Sequence, residues 1–129
     1  GGKTADPVTL ANEFEAALNL FKANKVKYAA LAFENFVKAH PTSSQAPRAQ
    51  YSLGNAHYTL RDCKKAIEAH QVVVDKWPQD AKAPDSLLGI ADCRQDLGDA
   101  KGARATLEKL LLSYPDSSAA STAKGRLKK

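Results

Sequence analysis

Prolines recur in this chain at one interval: Pro41, Pro78 and Pro115 stand 37 residues apart, each preceded by a ring (His40, Trp77, Tyr114), and Pro47 and Pro84 repeat the spacing. Five of the six prolines therefore share one register. Small residues lie twelve positions before each leading proline (Ala29, Ala66, Ala103) and twenty-four before (Ala17, Gly54, Ala91), where two backbones have to approach. Bulky residues fill the positions between: Phe33, His70 and Leu107, then Phe36, Val73 and Leu110, then Val37, Val74 and Leu111. A period of this size means stacked supersecondary units, each burying its apolar face on the next, and about three units are needed for a continuous core.

Within each period the apolar spacing is helical. Ala29, Phe33, Phe36, Val37 and His40 form one stripe; Ala66, Ile67, His70, Val73, Val74 and Trp77 form the next; Ala103, Leu107, Leu110, Leu111 and Tyr114 form the third. No useful length alternates with period two, so the chain is expected to be all-α. Asp6 before Pro7 reads as an N-cap with a first-turn proline, and Ser43 or Ser44, Asp80 and Ser117 are candidate caps of later helices. Gly98 and Asp99 mark a sharp turn, with Arg61-Asp62 and Asn24-Lys25 at the equivalent places. Helices are predicted over 7–23, 26–39, 44–60, 63–76, 81–97, 100–113 and 117–128. They make an α-solenoid of three helical hairpins (about 7–41, 44–78 and 81–115) plus a C-terminal capping helix, one domain over 7–129, with 1–6 as a disordered tag or linker. The last helix, rich in charge and poor in apolar groups, can cover the third hairpin while presenting a wet exterior.

Composition supports this and narrows the function. A chain of 129 residues with 43% hydrophobic and 26% charged content can bury a core without staples. No apolar run approaches the ~20 residues of a membrane helix, so direct membrane insertion is not expected. The net charge of +5 is not a nucleic-acid signal, because Lys124, Arg126, Lys128 and Lys129 carry most of the excess and the remainder is close to neutral. No secretory signal opens the chain, and the Gly1-Gly2 start without Met reads as the scar of a domain excised from a longer protein.

Residues 52–78, SLGNAHYTLRDCKKAIEAHQVVVDKWP, resemble the tetratricopeptide repeat, with Leu53, Gly54, Tyr58, Ala66 and Pro78 at that family's spacing. The period is 37 where the family has about 34, and the extra residues follow each proline, in TSSQAP, QDAKAP and DSSAAS. This variant, with an aromatic residue before proline, resembles the C-terminal domain of the YbgF/CpoB family of the bacterial Tol-Pal system over about residues 10–128. The resemblance implies a periplasmic, non-catalytic protein-interaction module whose full-length form oligomerises through an N-terminal coiled coil. It implies TolA and the peptidoglycan-synthesis machinery as partners, and a role in coordinating outer-membrane constriction and integrity during cell division. Closely similar repeats serve in outer-membrane protein assembly complexes, which leaves a scaffold subunit of such a complex as the alternative.

In stacked hairpins the first helix of each pair lines a concave groove. The positions that face it are Phe14, Leu18, Phe21 and Lys22 in the first hairpin, Arg48, Tyr51, Asn55, Tyr58 and Thr59 in the second, and Asp85, Leu88, Asp92, Gln95 and Asp96 in the third. They run from apolar through mixed to acidic, which suits a partner segment with an apolar anchor at one end and basic groups at the other. The alternative is that Phe14, Leu18 and Phe21 pack between hairpins and that Asp92 and Asp96 lie on a solvated helix face.

Catalysis is poorly supported, and no catalytic, metal or cofactor residues are expected. His40 and His70 occupy repeat positions held elsewhere by other rings or by Leu107, so they read as packing residues. The H-E-x-x-H, G-x-x-x-x-G-K-[ST] and G-x-S-x-G patterns are all missing. Cys63 opens the second helix of hairpin two, and Cys93 lies in the helix expected to pack against it. A disulfide is conceivable, but the helix positions are not obviously opposed, and two small buried thiols are the other reading.

Overall fold

The computed structural model describes residues 6–128. They form seven α-helices: α1 (Pro7–Lys22), α2 (Val26–Ala39), α3 (Ala46–Thr59), α4 (Cys63–Lys76), α5 (Lys82–Asp96), α6 (Ala100–Ser113) and α7 (Ser118–Leu127). Each boundary lies within two residues of its predicted place, and no strand occurs among the described residues. The expected disordered tag or linker over 1–6 falls outside the described residues except at Asp6. That residue is the N-cap of α1, accepting a 2.9 Å hydrogen bond from the Thr9 N–H through its carboxylate.

The period is written into the backbone. Within each hairpin the first helix ends on a left-handed residue, Asn24 (φ 65°), Arg61 (φ 62°) or Gly98 (φ 83°), spaced 37 apart. The N–H two residues beyond each C-cap reaches back to a last-turn carbonyl: Lys25 to Leu20 at 2.9 Å, Asp62 to His57 at 2.9 Å and Asp99 to Arg94 at 2.8 Å. These are Schellman closures, which satisfy carbonyls the helix end would otherwise orphan. Asp62 and Asp99 then cap α4 and α6 by accepting from the N–H of Lys65 and Gly102.

Between hairpins the three extra residues build the same connector three times. His40, Trp77 and Tyr114 end α2, α4 and α6 with φ between −130° and −135° and ψ of 57°, outside the helical region, as a following proline requires. Backbone bonds then run from Ser43, Asp80 and Ser117 to those ring residues, and from Ala46, Ala83 and Ala120 back to Ser43, Asp80 and Ser117. This corrects the expected caps. Ser117, with extended backbone, does cap α7, but α3 and α5 start after Gln45 and Ala81, which already have helical backbone and make no side-chain cap. Asp80 instead accepts from the Lys82 N–H.

Consecutive helices pack antiparallel, α3 also touches α5, and α5 touches α7. First helices thus form the inner layer, and α2, α4 and α6 the outer one. Phe14, Phe33, Phe36 and Leu53 anchor a core between hairpins one and two, while Leu87, Ile90, Leu107 and Leu110 anchor a second between hairpin three and α7. Helix α4 joins them, with Ala69 in the first core and Val74 in the second. Ala119, Ala120 and Ala123 of α7 are buried, so the last helix does cover hairpin three.

Candidate protein-binding groove

Side chains on the inner layer link one first helix to the next. Phe14 is buried against Phe33 and Phe36, with ring centroids at 6.2 and 5.8 Å, and the Arg48 guanidinium of α3 lies 5.1 Å from its centroid. Tyr51 is half-buried on His70 at 5.3 Å and carries the Lys82 ammonium of α5 at 4.7 Å from its ring centre. Lys82 also approaches Asp85 at 3.7 Å. The exposed Tyr58 hydroxyl donates to Asp96 at 2.8 Å, and Arg126 of α7 pairs with Asp92. Leu18 and Phe21 pack on the first core and Leu88 on the second, Asn55 is half-buried, and Lys22, Thr59 and Gln95 are exposed.

The expected sequence of an apolar anchor followed by vacant carboxylates takes a different form in the fold. Phe14 belongs to the core and is covered by Arg48. All three groove carboxylates are engaged within the chain, Asp85 by Lys82, Asp92 by Arg126 and Asp96 by Tyr58. Each exposed contact contributes about 1 kcal/mol or less, so they orient groups more than they stabilise the stack. The bond to Asp96, ahead of desolvation, holds the Tyr58 phenol up at about 12. Among the described residues no carboxylate lies within ion-pair distance of Arg48, which leaves it available at the junction of hairpins one and two.

Behind this face lies an arrangement that the residue pattern showed only in part. His70 is 1% exposed, and its ring is held between two glycines on neighbouring first helices. A Cβ on Gly54 or Gly89 would sit 2.5 or 2.6 Å from ring atoms, so both positions have to lack one. Nδ1 has no hydrogen-bond partner among the described residues, and burial pushes the imidazole down to about 4. His70 is therefore a neutral wedge between hairpins two and three. Gly54 was visible in the period; Gly89 was not, because Glu15 and Ser52 hold its equivalents.

The other histidines are separate from it. His40 packs edge-on against Phe36 at 5.1 Å, and its Nε2 lies 2.7 Å from Glu13. His57 lines a surface pocket with Glu34, Lys65 and Glu68; desolvation, then Lys65, lowers its pKa. Among the described residues no group of three or more His, Cys, Asp or Glu side chains is placed to hold a metal. Cys63, half-buried, and Cys93, buried, are both free thiols on α4 and α5, two helices that pack on each other. Desolvation, then a hydrogen bond with Cys63, raises the Cys93 thiol. No helix among the described residues is long and apolar enough to cross a membrane.

Tetratricopeptide repeat models match residues 14–81 and 60–127. The chain belongs to the tetratricopeptide repeat family. Aspartyl/asparaginyl beta-hydroxylase of Homo sapiens is 28% identical over 116 residues, covering 84% of this chain but only 15% of that protein. Among solved structures, PcrH from Pseudomonas aeruginosa superposes with a TM-score of 0.78 at 18% identity, covering 96% of this chain and 89% of that one. The Yersinia enterocolitica type III secretion chaperone SycD, in complex with a peptide of the translocator YopD, superposes at 0.77 and 17% identity, covering 95% and 89%. At these identities the structural likeness establishes the tetratricopeptide fold.

Proposed function

We propose that this tetratricopeptide domain is a non-catalytic interaction module that receives a segment of a partner protein along its concave face. Arg48 carries the reading. It is an exposed cation held over the Phe14 ring, while the groove carboxylates are already engaged by the chain's own side chains. The fitting segment places an acidic group against Arg48 and polar or aromatic contacts against Tyr51, Asn55 and Tyr58. SycD with its translocator peptide supplies a precedent for a fold of this kind holding a peptide.

The resemblance to the YbgF/CpoB domain supports a bacterial-envelope setting for this module, in the periplasm as part of the Tol-Pal system. There it contacts TolA and the peptidoglycan-synthesis machinery and helps coordinate envelope constriction at division, with a coiled coil outside this sequence setting the oligomer. Titrating TolA into the domain by calorimetry tests the reading. Tyr51 is a poor first substitution because it also supports His70 and Lys82. Arg48→Ala combined with Asn55→Ala should keep the far-UV helical spectrum and weaken binding about tenfold or more, at least about 1.4 kcal/mol. Unchanged affinity in a folded variant counts against the groove.

A further inference from the structure

The junction of hairpins two and three carries two sulfurs where the junction of hairpins one and two carries none. The stack repeats its packing with its period: Val26 at the start of α2 and Ala56 in α3 are both buried in the first core, and 37 residues on their equivalents are Cys63 and Cys93. Cys63, the first residue of α4, is half-buried and lines an open surface pocket of about 600 Å³. Asp96 and Leu97, one turn beyond Cys93, line the same pocket with Arg61 and Lys64. Cys93 is buried on α5, which packs against α4, and Cys63 is among the groups beside its thiol.

We propose that Cys63 and Cys93 are a dithiol that a low-molecular-weight disulfide oxidises to an intramolecular bridge, pinning the start of α4 to α5. Cys63 loses its proton and attacks one sulfur of the reagent, forming a mixed disulfide and expelling one thiolate, which is protonated. Cys93 then gives up its proton and attacks the Cys63 sulfur, breaking the mixed disulfide and expelling the second thiolate, which is protonated in turn. Two protein thiols are oxidised and one reagent disulfide is reduced to two thiols. Access sets the order, since only Cys63 faces the pocket. Desolvation raises the Cys93 thiol, so its attack is the slower of the two steps. Closing requires the sulfurs to approach to about 2.05 Å.

The bridge closes a loop spanning the second helix of hairpin two and most of the first helix of hairpin three, and lies beside the Tyr58–Asp96 contact at one end of the groove. It therefore fixes the junction of hairpins two and three. The test is incubation with oxidised glutathione, followed by thiol counting in denaturant, intact mass and thermal unfolding. The expected product is a monomer with no reactive thiol, no retained glutathione and a mass lower by two hydrogens. Its Tm should be higher by on the order of 10 °C, reversed by dithiothreitol. In Cys93→Ser one glutathione should stay on Cys63, and in Cys63→Ser the folded protein should take up none. Wild-type protein that retains glutathione, keeps both thiols or links into dimers overturns the proposal without recourse to either variant.

Discussion

His70 concentrates the residue-scale chemistry of this stack. Its ring sits against Gly54 and Gly89, meets Tyr51 at a tilt and has its pKa lowered by burial to about 4. The unfolded chain takes up this proton near 6.5, so stability is complete above that pH and declines as pH falls toward 4. The loss is roughly 3 kcal/mol by linkage. Urea unfolding of wild type and His70→Phe at pH 7 and pH 4.5 should show the wild type losing about 2–3 kcal/mol more than the variant between the two. Equal losses would mean that the imidazole is not buried neutral. Gly54→Ala should destabilise by about 1–3 kcal/mol through overpacking, despite the ~1 kcal/mol that alanine gains in helix propensity. In a His70→Ala background the same substitution should become neutral or stabilising, so a double-mutant cycle isolates the contact.

At the scale of elements, the hairpins were legible because their determinants are local and repeat. Asn24, Arg61 and Gly98 take the same left-handed turn, and the residues before Pro41, Pro78 and Pro115 take nearly the same backbone conformation. Ser43 and Asp80 do not cap α3 and α5, because Gln45 and Ala81 directly before those helices already have helical backbone, a difference from extended Ser117 that residue types do not signal. The groove positions were countable from the period, but their engagement was not. Arg126 meets Asp92 across 34 residues and Tyr58 meets Asp96 across 38, distances fixed by how hairpins stack rather than by helix periodicity. The Cys63–Cys93 contact had a usable signal in Val26 and Ala56, one period earlier in the same core. Helix α7 covers Leu87, Ile90, Leu107 and Leu110 with Ala119 and Ala123. Truncation after Asp116 should therefore lower Tm and produce self-association visible by light scattering. A monomeric truncation with wild-type Tm would show that the cap is dispensable.

The whole molecule is a short stack with two cores joined by α4 and an inner face where cations and carboxylates are largely matched. The net charge of +5 lies mostly in the last residues, so the concave face does not act as a uniformly basic surface. Arg48 stands out there because it has an aromatic support and no acidic partner among the described residues. The central claim, that partner binding uses this face, is tested most directly by an amide NMR titration of the domain with TolA. Shifts should concentrate on α1, α3 and α5 around Arg48, Tyr51, Asn55 and Tyr58. Shifts concentrated on the outer layer, around Leu31 of α2 and Lys65 of α4, would contradict the account.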